Sequence, residues 1–75
     1  MSSLPKNSDS WFNEEILPHE PMLRAWLRAK FPSLTDPDDL VQETFSRVLQ
    51  ARGTAPIASA KAFLFTTARN LALDL

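Results

Sequence analysis

The sequence contains no cysteine, and this absence excludes two kinds of structure. Without cysteine, the 75 residues can form neither a disulfide framework nor a thiolate metal site. The single histidine, His19, has no second histidine with which to make a metal-binding pair. We therefore expect no metal and no other cofactor, and the composition suits a reducing compartment.

Long apolar runs are also missing. The polar start, MSSLPKNSDSW, lacks the apolar segment of about 7–15 residues that a secretory signal needs, and no later run approaches the ~20 residues of a membrane span. We expect a cytoplasmic chain without membrane insertion. The net charge of −1 is unlike that of a free-standing nucleic-acid binder, which usually carries a strongly basic face.

Motifs for catalysis are absent as well. The chain has one glycine, Gly53, so it contains no glycine-rich phosphate loop and no P-loop motif. We find no Ser/His/Asp set in which a carboxylate could orient the histidine, and no paired carboxylates flanked by an apolar pocket. The sequence therefore predicts no catalytic residue, and we expect that the protein is not an enzyme.

Scarce glycine and abundant Ala, Leu, Arg, Glu and Gln favour helix through much of the chain, and six prolines mark its interruptions. We expect a flexible N-terminal tail over residues 1–12, in which Trp11 and Phe12 either pack on the domain or are exposed, and one helical domain over 13–75. A first helix is predicted from about Glu20 to Phe31. Its apolar residues follow the spacing of one buried face, and they are Leu23, Trp26, Leu27 and Phe31.

The second helix has the clearest start in the chain. Asp36 can cap it, Pro37 suits the first helical position, and two aspartates follow at the positive end of the helix dipole. We expect it to run to about Ala51 or Arg52. Apolar residues gather on one side, namely Val41, Phe45, Val48 and Leu49. Polar residues gather on the other, namely Asp39, Gln42, Glu43, Ser46 and Gln50.

A loop of about six to nine residues should precede a third helix, which we expect to run from about Ser59 or Ala60 to the end of the chain. Its inward stripe is Ala60, Leu64, Ala68, Leu71 and Leu75. Aromatic and hydrogen-bonding side chains share the surface outside this stripe, namely Phe63, Phe65, Thr66, Thr67, Arg69, Asn70, Leu73 and Asp74. Together these patterns predict an all-α bundle of three to four helices.

The segments DPDDLVQETFSRVLQA and KAFLFTTARNLALDL, in this order, resemble the second conserved region of bacterial RNA polymerase sigma factors. The closest resemblance is to the extracytoplasmic-function type, group 4 of the sigma-70 family, and it covers roughly residues 17–75. It implies a domain that docks on core RNA polymerase and recognises and melts the promoter minus-ten element. Because the family continues into a basic stretch and a second DNA-binding domain, we expect this chain to be truncated at its C-terminus.

The resemblance implies that the second helix docks on the clamp helices of the polymerase largest subunit. The matching positions of the D-L-x-Q-E motif are Asp39, Gln42 and Glu43, which we name the polar ridge. Ser46 and Leu49, one and two turns further along, are weaker candidates for the same contact. Carboxylates and an amide at this spacing suit a basic partner helix. The alternative is that the ridge is simply a solvated helix face.

The resemblance also implies that the loop segment 52–60 and the outer face of the third helix capture the non-template strand of the minus-ten element. The matching positions are Arg52, Gly53, Phe63, Phe65, Thr66, Arg69, Asn70 and Asp74. Single-stranded DNA requires stacking surfaces, amides for base edges and cations for phosphates. Phe65, Asn70 and Arg69 offer one of each. The alternative is that both phenylalanines fill the bundle core and that Arg69 is a surface charge.

Two other functions fit parts of the pattern. A small helical protein-interaction module could use the acidic side of the second helix without binding DNA. A helix-turn-helix protein could bind double-stranded DNA, but the predicted loop is longer than the usual turn and the net charge is negative. An anti-sigma protein is a further candidate partner under the sigma-factor interpretation.

Overall fold

The computed structural model describes residues 10–74, which are helical apart from two loops. An N-terminal helical segment contains a π-helical stretch, Phe12–Ile16, and a 3₁₀ turn, Leu17–His19. Three α-helices follow: α1 (Glu20–Lys30), α2 (Pro37–Thr54) and α3 (Ala60–Leu73). Within this described part there is no β-strand, and the all-α fold predicted from the sequence is confirmed. None of its helices is long and apolar enough to cross a membrane.

Helix α1 begins with proline in its first turn and ends where the sequence predicts. The amide of Phe31 donates to the carbonyl of Leu27 at 2.8 Å, and Pro32 follows. Leu23 and Leu27 are fully buried. Trp26 is half-buried and packs edge-to-face on Phe31, with 6.0 Å between the ring centroids. The predicted apolar face of this helix therefore lies against the rest of the bundle.

Helix α2 starts with the predicted cap. The Asp36 carboxylate accepts a hydrogen bond from the amide of Asp39 at 3.1 Å, and Pro37 occupies the first turn. Its buried side is formed by Leu40, Val41, Thr44, Phe45 and Val48. Buried Thr44 is satisfied because its hydroxyl donates to the carbonyl of Leu40 at 2.7 Å. This cap and this apolar side fix which residues of α2 face solvent.

The predicted end of α2 is two to three residues too early. The helix continues through Gly53 to Thr54, and the loop is reduced to residues 55–59. Gly53 has no positive φ, so it does not act as a left-handed helix terminator. The next residue, Ala55, is extended (φ −160°, ψ 153°), because it precedes Pro56 and the residue before a proline disfavours helical backbone.

The C-terminal helix packs through small residues. Its N-cap is Ser59, whose hydroxyl accepts from the amide of Ala62 at 3.3 Å. Its buried residues follow one another at four-residue spacing and are Leu64, Ala68 and Ala72. Leu71, predicted to point inward, is only half-buried, whereas its neighbour Ala72 is buried. The predicted inward position 75 lies outside the described residues.

The N-terminal segment closes the other side of the core. Ile16 is fully buried, and the ring of Phe12 stands perpendicular to that of Phe45 with 5.2 Å between centroids. The guanidinium of Arg52 lies 5.0 Å from the centre of the Trp11 ring. Residues 10–12, which the sequence assigned to a flexible tail, are thus part of the packed helical segment, whereas residues 1–9 lie outside the described part.

A substitution at Gly53 tests the corrected end of α2. A Cβ atom added there would meet no heavy atom within 4 Å beyond its chain neighbours and the local helix backbone. We expect Gly53→Ala to raise the free energy of unfolding by about 0.5–1 kcal/mol, because glycine is costly inside a helix. Urea denaturation followed by circular dichroism measures this change. Ala25→Gly, at an exposed position of α1, is the matched control and should lower stability by a similar amount.

A decrease in stability for Gly53→Ala would contradict the assignment. It would mean that residue 53 needs a backbone conformation that alanine disfavours, as a loop position would.

Candidate functional site

The polar ridge lies on the solvent side of α2. Asp39, Gln42 and Glu43 are all exposed, and so are Ser46 and Leu49, the latter with 42% of its surface accessible. Leu49, which the sequence pattern grouped with the apolar side, therefore faces solvent beside the ridge. All five residues predicted to contact the polymerase are available to a partner.

The charges around the ridge are arranged in two groups. Arg24 of α1 pairs with Glu20 at 2.8 Å and with Asp38 at the start of α2. Glu43 accepts from the Nε of Arg47 at 3.2 Å, an exposed pair that contributes little to stability. Within residues 10–74 no cation pairs with Asp39. Asp38 is thus engaged in joining α1 to α2, whereas Asp39 remains open to a partner.

The outward face of α3 carries the other predicted set. Thr66, Arg69, Asn70 and Leu73 are exposed. Asp74 is exposed just after the helix, where its amide donates to the carbonyl of Asn70 at 3.2 Å. The four polar residues among them form a polar strip, and within residues 10–74 their side chains make no hydrogen bond or ion pair with another side chain.

The two phenylalanines of α3 lie at opposite borders of this strip. Helical periodicity predicts that Phe65 lies outside the inward stripe. Its ring is nevertheless half-buried and packs edge-to-face on Trp26, with 5.4 Å between the ring centroids. Phe63 is half-buried on the other border, beside the loop. Sequence periodicity could not reveal the contact with Trp26, because it depends on how α1 packs against α3.

A pocket of about 460 Å³ lies where α2, the loop and α3 meet. We name it the loop pocket. The residues that line it are Ala51, Thr54, Ala55, Pro56, Ile57, Ala58, Ser59, Ala62, Phe63 and Thr66. Phe63 and Thr66 are the two predicted DNA-binding residues that it contains. Ile57 lies in the predicted segment 52–60 but was not singled out there, and Ala62 was missed, although the small and apolar residues flanking Pro56 were a signal.

Arg52 and Gly53 are displaced from this pocket. Both belong to the last turns of α2 rather than to the loop, and Arg52 is directed toward Trp11. Their predicted role in DNA binding stays a prediction. No cluster of three or more His, Cys, Asp or Glu side chains able to hold a metal ion occurs in residues 10–74.

Residues 16–75 match the family model of sigma-70 region 2. The chain belongs to the sigma-70 region 2 family. Over 57 residues this region 2 chain is 37% identical to the ferric citrate uptake sigma factor FecI of Escherichia coli (strain K12). The extracytoplasmic-function type of sigma-70 region 2, predicted from the sequence, is thereby confirmed.

The region 2 chain and its relative differ in extent. The alignment covers 76% of this chain and 33% of FecI, so the chain spans about a third of the length of the curated relative that it matches. No solved structure matches the chain significantly. The roles of the ridge, the strip and the loop pocket therefore depend on their own geometry and chemistry.

Proposed function

We propose that the chain is the part of an alternative sigma factor that docks on core RNA polymerase and captures and melts the minus-ten element. The observation that carries the proposal is the separation of two exposed surfaces on one helical pair. The ridge begins near the first turn of α2, whereas the loop pocket is formed by the last turn of α2 and the first of α3. A partner on one surface leaves the other accessible.

Docking is supported by the chemistry of the polar ridge. Two carboxylates and an amide are exposed in one row on a capped helix whose opposite side is buried. This row presents acceptors to a basic helix, and the rigid backbone fixes their spacing. The proposed partner is the clamp-helix pair of the polymerase largest subunit, with Ser46 and Leu49 extending the contact.

Capture of the non-template strand is supported by the pocket and the strip together. A flipped base needs a pocket with apolar walls and a nearby hydrogen-bonding group, and Phe63 and Thr66 supply one of each. Asn70 and Arg69 lie one turn beyond Thr66, where an amide can contact a base edge and a cation can contact a phosphate. Phe65 can offer one ring edge while it packs on Trp26.

The remaining elements of the proposal follow from these partners. The chain is a non-catalytic specificity subunit that acts in the cytoplasm, where core polymerase transcribes. An anti-sigma protein that covers the ridge or the strip is a further proposed partner. The chain has a net charge of −1, so firm DNA binding should require the polymerase.

Fluorescence anisotropy with labelled single-stranded DNA tests the proposal. The DNA carries a minus-ten sequence of the cognate promoter, and the titrants are the chain alone, core polymerase alone, and both together. We expect tight, sequence-dependent capture only when both proteins are present. Binding of the polymerase with no DNA capture would instead favour the protein-interaction module, and binding of neither would refute the proposed function.

A further inference from the structure

A groove of about 360 Å³ runs along one side of the polar ridge. Its floor is apolar and comes from three different parts of the fold: Leu34 of the loop after α1, Leu40 of α2 and Leu71 of α3. Leu40 is 5% exposed, and the other two leucines are half-buried. Leu34 and Leu71 therefore remain partly accessible above the buried Leu40, and together they give the groove an apolar floor.

The rim of this groove is negative. It carries the carboxylates of Asp36, Asp39 and Glu43. Glu43 pairs with Arg47, but among residues 10–74 no cation pairs with Asp36 or Asp39. Asp36 uses one oxygen to cap α2 and keeps the other available. The groove therefore combines an apolar floor with acidic walls, and we name it the acidic groove.

The acidic groove extends beyond the ridge. A second hollow of about 390 Å³ shares Leu34 and Thr35 with it and continues past them to Phe31 and Ala72. The two hollows follow one another along the loop between α1 and α2. An elongated surface of this kind suits one face of a helix, which places apolar anchors at successive turns.

We infer that the acidic groove receives an aliphatic side chain of the same basic helix that contacts the polar ridge. This inference rests on the proposed function, since it assigns the occupant of a groove that shares Asp39 and Glu43 with the docking site. Lysine or arginine side chains one turn from the anchor pair with the rim carboxylates. The charges steer the partner, and the buried anchor fixes its rotation and register.

The assignment makes Leu34, Thr35 and Leu71 determinants of docking. None of these residues belongs to the D-L-x-Q-E motif, and Leu71 lies on the helix that carries the DNA-facing strip. The partner then contacts α3 at the end remote from the loop pocket.

Substitutions in the groove test the inference without altering the ridge. Thr35 is exposed, so Thr35→Trp can fill the groove while the core stays intact, and Leu71→Gln makes its floor polar. We expect each to weaken binding of the chain to purified core polymerase by about tenfold, as the loss of one apolar anchor does. Leu73→Gln is the matched control because Leu73 is 59% exposed on the same helix and lies outside the groove.

Binding is measured by anisotropy of the labelled chain, and circular dichroism confirms that each variant is folded. Unchanged affinity of Thr35→Trp would overturn the groove assignment, whereas loss of affinity in Asp39→Ala plus Glu43→Ala would still uphold docking. If neither set of variants lost affinity, both the groove and the docking function would be refuted.

Sedimentation of the chain alone gives the remaining outcome. A self-association that Thr35→Trp abolishes would make a second copy the occupant and overturn the inference.

Discussion

Replacing Asp39 and Glu43 together with alanine is expected to weaken binding to core RNA polymerase by at least about 100-fold. Each close charge pair at an interface couples by roughly 1.5 kcal/mol or more, and every 1.4 kcal/mol is a factor of ten in affinity. The fold should tolerate the change, because both side chains are exposed and the Glu43–Arg47 pair is a surface ion pair. Titration of the labelled variant with core polymerase gives the loss directly.

A charge-matched control separates this effect from a general loss of acidity. Glu14→Ala plus Glu15→Ala removes two exposed carboxylates from the N-terminal segment and leaves the ridge intact. The control should bind the polymerase as the unmodified chain does. Equal weakening in both double variants would show that net charge, rather than the ridge, governs the interaction.

Filling the loop pocket is expected to reduce capture of minus-ten single-stranded DNA by about tenfold or more. Ala58 is exposed and lines the pocket, so Ala58→Trp places a ring where a flipped base would lie. Base stacking contributes roughly 1–3 kcal/mol per base, and the variant loses at least one such contact. Capture is measured with the chain bound to core polymerase, while polymerase binding itself should be unchanged.

The matched control is another alanine-to-tryptophan change. Ala25 is exposed on α1 and outside the pocket, so Ala25→Trp should retain full DNA capture. If Ala58→Trp captured DNA as well as this control does, the loop pocket would not hold a base. The strip on α3 would then have to account for DNA binding without it.

The helix starts were predictable because they depend on local chemistry. Asp36 before Pro37 and Ser59 before Ala60 each accept a hydrogen bond from an amide three residues further on. The buried side of α2 was also predictable from periodicity, and with it the exposure of the polar ridge. For the ridge, local sequence and tertiary structure agree.

Features that depend on packing between helices were not predictable in the same way. The contact of Phe65 with Trp26 requires α1 and α3 to lie side by side, and the acidic groove requires Leu34 and Leu71 to approach from distant parts of the chain. The end of α2 was missed for a local reason. Glycine only weakens a helix, whereas proline constrains the residue before it, so α2 passes through Gly53 and ends before Pro56.

One experiment tests the central claim that the ridge and the loop pocket are two separate surfaces. Polymerase binding and minus-ten capture are measured side by side for Asp39→Ala plus Glu43→Ala and for Ala58→Trp. The account predicts that the ridge variant loses both activities, because capture requires the polymerase, and that the pocket variant loses capture alone. Full polymerase binding by the ridge variant, or unimpaired capture by the pocket variant, would contradict it.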